Sequence, residues 1–234
     1  MRRLFVAALA LFGVMGALPA AAQLIDVPGR TAAPATTDKE NLWLLDLSDG
    51  GRVTVWLRPD VAPKMVERVK TLTRQRFYDG LPFHRVIEGF MAQGGDPKGD
   101  GTGGSSLPDL TKEFNYLPHV RGAVSAARAQ SEDSANSQFF IMFAPRLSLD
   151  QKYTVFGRVI DGMRYVDAIT RGTGDNGAVE GNPTRIVHAY IAADNPPAYI
   201  PPAPEPAPAA LPVTLPATGK AAPARAARPA PRAR

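Results

Sequence analysis

The chain contains no cysteine in its 234 residues. That absence excludes disulfides, thiol nucleophiles and cysteine-ligated metals together. Histidine is nearly as scarce: His84, His119 and His188 stand far apart, and each is placed more simply as a packed or surface residue than as a ligand. Ser137 and Ser148 have no evident base–carboxylate pair to activate them. The apolar run Leu4 to Leu18 is shorter than the roughly 20 residues a membrane span requires. No internal repeat is visible, and strands do not alternate regularly with helices, which argues against a doubly wound parallel sheet. The pattern calls for neither metal nor cofactor.

What is present divides by composition. Arg2 and Arg3, the apolar run and Ala20-Ala21-Ala22 have the form of a secretory signal over residues 1–22, with a mature start at Gln23. Residues 23–40 read as a flexible leader and 41–194 as the folded domain. Residues 195–234 hold 12 Pro and 13 Ala. Such a segment buries too little apolar surface to offset its ordering entropy and reads as a disordered, polyproline-like tail. It ends in a basic cluster of Lys220, Arg225, Arg228, Arg232 and Arg234. Of the net charge of +5, the signal carries +2 and the tail +4, leaving −1 on residues 23–194. The basic balance therefore belongs to the appendages, and a nucleic-acid-binding core is not indicated. The tail suits a solubilising tether, or contact with anionic envelope surfaces. Leu215-Pro216-Ala217-Thr218-Gly219 matches a sortase pentapeptide, but the hydrophobic span such a signal needs is missing behind it. No membrane span, a monomer and an extracytoplasmic, preferably periplasmic, location are expected.

Within the domain, Leu42–Leu47 and Val53–Leu57 are strand candidates joined by the turn signal Ser48-Asp49-Gly50-Gly51. A helix should follow, capped by Asp60, with Pro63 in its first turn and Val66, Val69 and Leu72 as its apolar stripe. Further strands are expected at Phe83–Ile87, Phe90–Gln93, Ala123–Ala127, Gln138–Phe143, Thr154–Ile160 and Arg185–Ala192. A second helix is expected over Met163–Arg171, ended by Gly172. Many short strands with two helices indicate an antiparallel barrel or sandwich. Gly99 to Gly104 fits G-x-G-x-x-G, but Ser105-Ser106-Leu107-Pro108 follows where a dinucleotide site needs a helix. Asp96 and Asp100 hint at a calcium loop, yet Leu107 stands where the bidentate Glu belongs.

The most informative stretch is Phe83 to Asp96. It reads as two short strands carrying a guanidinium, an amide side chain and two large apolar groups. Those are means of holding a proline ring and weakening its amide bond without a covalent intermediate.

In sequence the chain resembles the cyclophilins, peptidyl-prolyl cis–trans isomerases, from about Leu42 to Ala192. The resemblance is carried in order by Phe83-His84-Arg85, Gly89-Phe90-Met91-Ala92-Gln93-Gly94-Gly95-Asp96 and Gly101-Thr102-Gly103-Gly104. Gly122 to Arg128, Ser134 to Ile141, Leu149-Asp150 and Val155 to Val159 complete it. It implies a mainly β fold, a closed eight-stranded antiparallel β-barrel capped by two α-helices. It also implies Arg85 as the catalytic arginine, supported by Gln138 hydrogen-bonded to it. Phe90, Met91, Phe140 and Leu149 would line the proline pocket, with Tyr153 beside them where many eukaryotic members have His. Gln93 would hydrogen-bond the substrate backbone, and Ala127 and Arg128 would flank the bound peptide. Where many eukaryotic members have Trp, His and Asn, this chain has Ser148, Tyr153 and Arg128, choices that resemble bacterial members; the lost Trp implies weak inhibition by cyclosporin, and Ala126 in place of a common Met leaves the groove floor less filled. The expected activity is isomerisation of X–Pro bonds in proline-containing segments of unfolded or folding exported proteins. The alternatives are a non-catalytic peptide-binding chaperone module using the same groove, or a surface protein whose basic tail is the working part.

Overall fold

A computed structural model describes residues 32–200; the signal-like segment, most of the leader, and the tail from residue 201 with its sortase-like pentapeptide lie outside the described residues. The strands are β1 (Leu42–Leu47), β2 (Gly51–Leu57), β3 (Arg85–Ile87), β4 (Met91–Gly94), β5 (Ala123–Ala126), β6 (Phe139–Met142), β7 (Val155–Asp161) and β8 (Ile186–Ile191). They form one antiparallel sheet in the order β3-β4-β6-β5-β7-β2-β1-β8. The sheet curls around a core that includes Trp43, Leu45, Val55, Val86, Phe139 and Phe156, all fully buried. Trp43 packs edge-on against Tyr78 and Phe139, at ring separations of 5.3 and 5.0 Å.

The expected closed barrel is not what forms: the sheet is an open half-barrel, and β3 and β8 remain its two edges. The cause is local. β3 has only three residues, and its free edge is occupied by the segment that follows the second helix. Gly172 N donates to Val86 O, Val86 N to Gly177 O, and Val179 N to His84 O. Residues just before β3 instead meet the first residue of β8 and those before it, through Phe83 N to Thr184 O at 2.9 Å and Ile186 N to Leu81 O at 2.9 Å.

Helix α1 (Pro63–Arg74) buries Met65, Val66, Val69 and Leu72 against the core, with Pro63 in its first turn. Its N-terminus is not capped by Asp60, which lies two residues before the cap position at Ala62 and is paired with Arg58 at 2.6 and 2.8 Å. The cap comes from a distant loop. The Glu113 carboxylate accepts from Lys64 N and Met65 N, both at 2.9 Å. A negative charge on two otherwise orphaned amides suits the helix start. Helix α2 (Met163–Ala168) is shorter than expected. At Ile169 the backbone turns extended, and Thr170 N donates to Thr184 Oγ1, drawing the chain off toward the edge of β3 before Gly172 is reached. Val166 and Ile169 still face the core.

The domain's ends are tied together. Asp38 accepts from Glu40 N and Asn41 Nδ2, and Arg74 binds both Asp194 and Glu40. Beyond residue 194 the chain runs back over the β1–β2 turn, where Tyr199 OH donates to Gly50 O and Arg52 lies over the Tyr199 ring. No helix among the described residues is long and apolar enough to cross a membrane.

Loss of the cross-loop cap should cost about 1 kcal/mol. Glu113→Ala is expected to lower the urea midpoint with little change in slope, whereas Asp60→Ala should leave α1 capped and act only through Arg58. Equilibrium unfolding of the two variants beside the wild type checks this.

Candidate active site

Strand alternation separates two apolar groups. Val86, Ala92 and Ile141 point into the core, while their sequence neighbours point to the outer face. There, Met91, Ala123, Phe140, Met142 and Val155 form a second buried cluster, with Ile87, Phe90, Leu117, Ala127, Leu149 and Tyr153 packed around it. The register sets Arg85 opposite Gln93, and Gln93 opposite Phe140. One row across three strands thus carries a guanidinium, an amide and an aromatic ring.

The polar members form a directed relay. Arg85 Nη1 donates to Gln93 Oε1 at 3.2 Å; Gln93 Nε2 donates to Gln138 Oε1 at 2.9 Å. Gln138 Nε2 donates to the carbonyls of Gly101 and Gly103 at 3.1 and 2.7 Å. A guanidinium can only donate and a carbonyl can only accept, so the two ends of the chain dictate the orientation of both amides. Arg85 Nε donates to Asn176 O at 2.8 Å, which fixes the plane of the group from its other side. Of its five N–H groups, three remain for another acceptor. Gln138 was expected to bond Arg85 directly. It does not, because Gln93 is the cross-strand partner of Arg85 and stands between them.

Two loops hold this arrangement. The Asp96 carboxylate, fully buried, accepts from Lys98 N, Asp100 N and Gly101 N and so shapes the turn that offers Gly101 O and Gly103 O. A side chain at position 103 would collide with Asp96, since its Cβ would fall 2.1 Å from Oδ1. The loop carrying Asn176 is fitted to β3 by Gly177, whose φ is +69° and whose Cβ would lie 2.4 Å from Ile87.

Leu149 ends a short 3₁₀ turn, Leu147–Leu149, at the pocket wall. Tyr153 meets Phe140 edge-on at 5.7 Å and carries the Arg128 guanidinium over its face at 4.7 Å. Ala127 N pairs with Gln138 O at 3.0 Å. A cleft of about 370 Å³ adjoins the apolar cluster, lined by Gln93, Gln138, Ala127, Arg128 and the glycine loop. Of the ten residues singled out from sequence, Phe90, Met91, Ala127, Phe140, Leu149 and Tyr153 belong to the outer cluster, Gln93, Ala127, Arg128 and Gln138 line the cleft, and Arg85 is joined to them through Gln93.

Sequence reasoning missed several contributors. Met142 follows from period-two alternation with Phe140 on β6 and was legible, whereas Ala123 and Val155 lie on other strands and join the cluster through sheet packing. Asn176 acts through a backbone carbonyl, and no side-chain signal could have shown it. His119 was set aside as packing, and it does pack: it is fully buried, stacked on Phe140 at 6.1 Å and edge-on to Tyr153 at 6.4 Å. It also latches the 3₁₀ turn. Its backbone N and its Nδ1 both meet Asp150 Oδ1 at 2.8 Å, and its carbonyl accepts from Arg146 N. Burial pushes the His119 pKa down, against the opposing pull of Asp150. Burial would raise Asp150, but the hydrogen bonds and charge of His119 outweigh it and hold that carboxyl low. The carboxylate accepts, so Nδ1 carries the proton of the neutral ring.

A family model described as cyclophilin type peptidyl-prolyl cis-trans isomerase/CLD matches residues 44–191. A probable peptidyl-prolyl cis-trans isomerase of Brucella suis is 48% identical over 193 residues, covering 77% of this chain and 97% of that protein. The cyclophilin AquaCyp293 from Hirschia baltica superposes with a TM-score of 0.60 at 27% identity, over 68% of this chain and 77% of that one. A cyclophilin type isomerase from Cryptosporidium parvum, solved in the presence of the dipeptide Ala-Pro, gives 0.58 at 26% identity, over 64% of this chain and 98% of that one.

The buried histidine makes stability pH-dependent. A folded-state pKa below the ordinary 6.5 means that the unfolded chain takes up a proton first as pH falls. Stability from this source is complete above 6.5 and declines as pH drops below it. His84, also held low chiefly by burial, adds in the same direction. Thermal melts from pH 7.5 to 5 should show Tm falling, and His119→Asn should flatten that slope.

Proposed function

Because this chain belongs to the cyclophilin type peptidyl-prolyl cis-trans isomerases, we propose that it accelerates X–Pro rotation in exported proteins by arginine-assisted stabilisation of the twisted transition state. The barrier to amide rotation is about 18–20 kcal/mol, because the nitrogen lone pair is delocalised into the carbonyl. Twisting the bond localises that lone pair, which then accepts a hydrogen bond that neither planar state can accept as well. A donor placed there stabilises the transition state selectively, which is the requirement for a rate gain.

The observation that carries this reading is the Arg85–Gln93–Gln138 relay beside the outer apolar cluster. It holds a planar guanidinium with donors to spare at the edge of a slot lined by Phe90, Met91, Phe140 and Leu149. The slot would grip the proline ring while the preceding carbonyl swings. Gln93 keeps one N–H for the peptide backbone. No proton moves and no covalent bond forms. Arg suits the task better than Lys, since its charge is fixed and its donors lie in a rigid plane.

Export rests on residues 1–22, whose charged start, apolar run and small-residue end have the form of a cleavable signal. Clients would then be envelope or secreted proteins folding outside the cytoplasm, and the periplasm is the preferred compartment.

Two measurements follow. Exchange on a model X–Pro peptide with Arg85→Ala should fall by about 10²–10³-fold in kcat while the fold is kept; undiminished exchange removes the arginine from the mechanism. Fractionation with N-terminal sequencing should find the protein outside the cytoplasm, starting at Gln23. An intact N-terminus on cytoplasmic material refutes export.

A further inference from the structure

The apolar pocket is rimmed by guanidinium groups that no carboxylate neutralises. Arg128 stacks on Tyr153 at 4.7 Å and Arg146 on Phe90 at 5.1 Å. Arg85 reaches the same cleft through Gln93, which lines it together with Arg128. The partners of Arg128 are neutral carbonyls: Lys152 O at 3.1 and 3.3 Å, Ala129 O at 3.0 Å and Gln130 O at 3.2 Å. Arg85 likewise meets only Asn176 O and Gln93 Oε1. Among the described residues, no ion pair forms to Arg85, Arg128, Arg146 or Lys152.

Of the acids in these loops, Glu88 is paired with Arg171 and Glu132 with Lys112, whereas Asp150, held by neutral His119, and Asp109, which accepts from Asn136 Nδ2 at the cleft, keep their charge but form no ion pair with Arg128 or Arg146. The positive rim is not a reflection of overall charge, because residues 23–194 carry −1. Stacking uses the flat face of a guanidinium: Arg146 makes no side-chain hydrogen bond among the described residues and keeps its N–H edges available to an acceptor, while Arg128, whose Nε, Nη1 and Nη2 already donate to backbone carbonyls, contributes chiefly its unneutralised charge. A carboxylate in the bound peptide is the group that such edges complement.

We propose that the groove selects X–Pro segments bearing a carboxylate next to the proline dipeptide, with Arg128 and Arg146 as specificity-determining residues. The inference rests on the isomerase reading of the same site. Discrimination acts through exposed and half-exposed charges, so it is modest and weakened by salt.

The test uses the full chain and short peptides X-Ala-Pro-X, with X as Glu, Ala or Lys, followed by NMR exchange at low and high ionic strength. The Glu peptide should exceed the Lys peptide in kcat/KM by about fivefold at low salt, contracting toward unity at high salt. In Arg128→Gln/Arg146→Gln the Glu-to-Lys ratio should fall close to one. A wild-type ratio of one at low salt, a ratio indifferent to salt, or a ratio retained in the double variant overturns the proposal. The Ala peptide separates the two levels: if it is not accelerated, the isomerase reading itself fails. If it is accelerated while Glu and Lys peptides turn over equally, only the charge selection fails.

Discussion

The site depends on the register of three short strands. Pairing Arg85 with Gln93 and Gln93 with Phe140 puts a fixed charge, a neutral bridge and an apolar floor in one row. A slip of one residue would turn all three side chains into the core and bring Val86, Ala92 and Ile141 outward. The register is well determined because those inner residues are fully buried and cannot be exposed without losing the core. Folding and function are thus set by the same ladder, read from opposite faces. The four residues of β6 are buried throughout, since the inner face packs in the core and the outer face floors the pocket.

Edge protection is part of the same design. β3 carries the arginine, is only three residues long, and is an end of the sheet. An unprotected edge would leave its backbone free to pair elsewhere and its side chain poorly placed. The segment after α2 satisfies that edge and delivers Asn176 O to Arg85 Nε. The short α2 and the fixed guanidinium both accompany this detour of the chain.

Much of this was legible in the sequence. All eight strands were located by alternation and turn residues, and the motifs around Arg85, Gln93 and Gln138 pointed to residues that the sheet brings together. The misses share one character. Asp60 is a plausible cap by local spacing, but Glu113, some 50 positions along the chain, reaches the helix start instead. Gln138 was assigned directly to Arg85, whereas cross-strand register interposes Gln93. Asn176 contributes a carbonyl that any residue could supply. Local chemistry is written in residue types; contacts closed by loops depend on where the chain returns, which no single window encodes.

The use of amides around Arg85 has a physical reason. A carboxylate in place of Gln93 would bind the guanidinium more strongly, but it would neutralise the group and take up donors that Gln93 leaves free. Gln93 and Gln138 fix the plane while leaving the charge intact, and their order is enforced from the glycine-loop carbonyls. Such a charge is tolerable because Arg85 is only half-buried, so water still screens it when no peptide is bound. A ligand covering the groove would displace that water and leave the guanidinium in a poorer dielectric. Positioning by neutral groups therefore leaves the guanidinium's charge uncompensated until a ligand covers the groove.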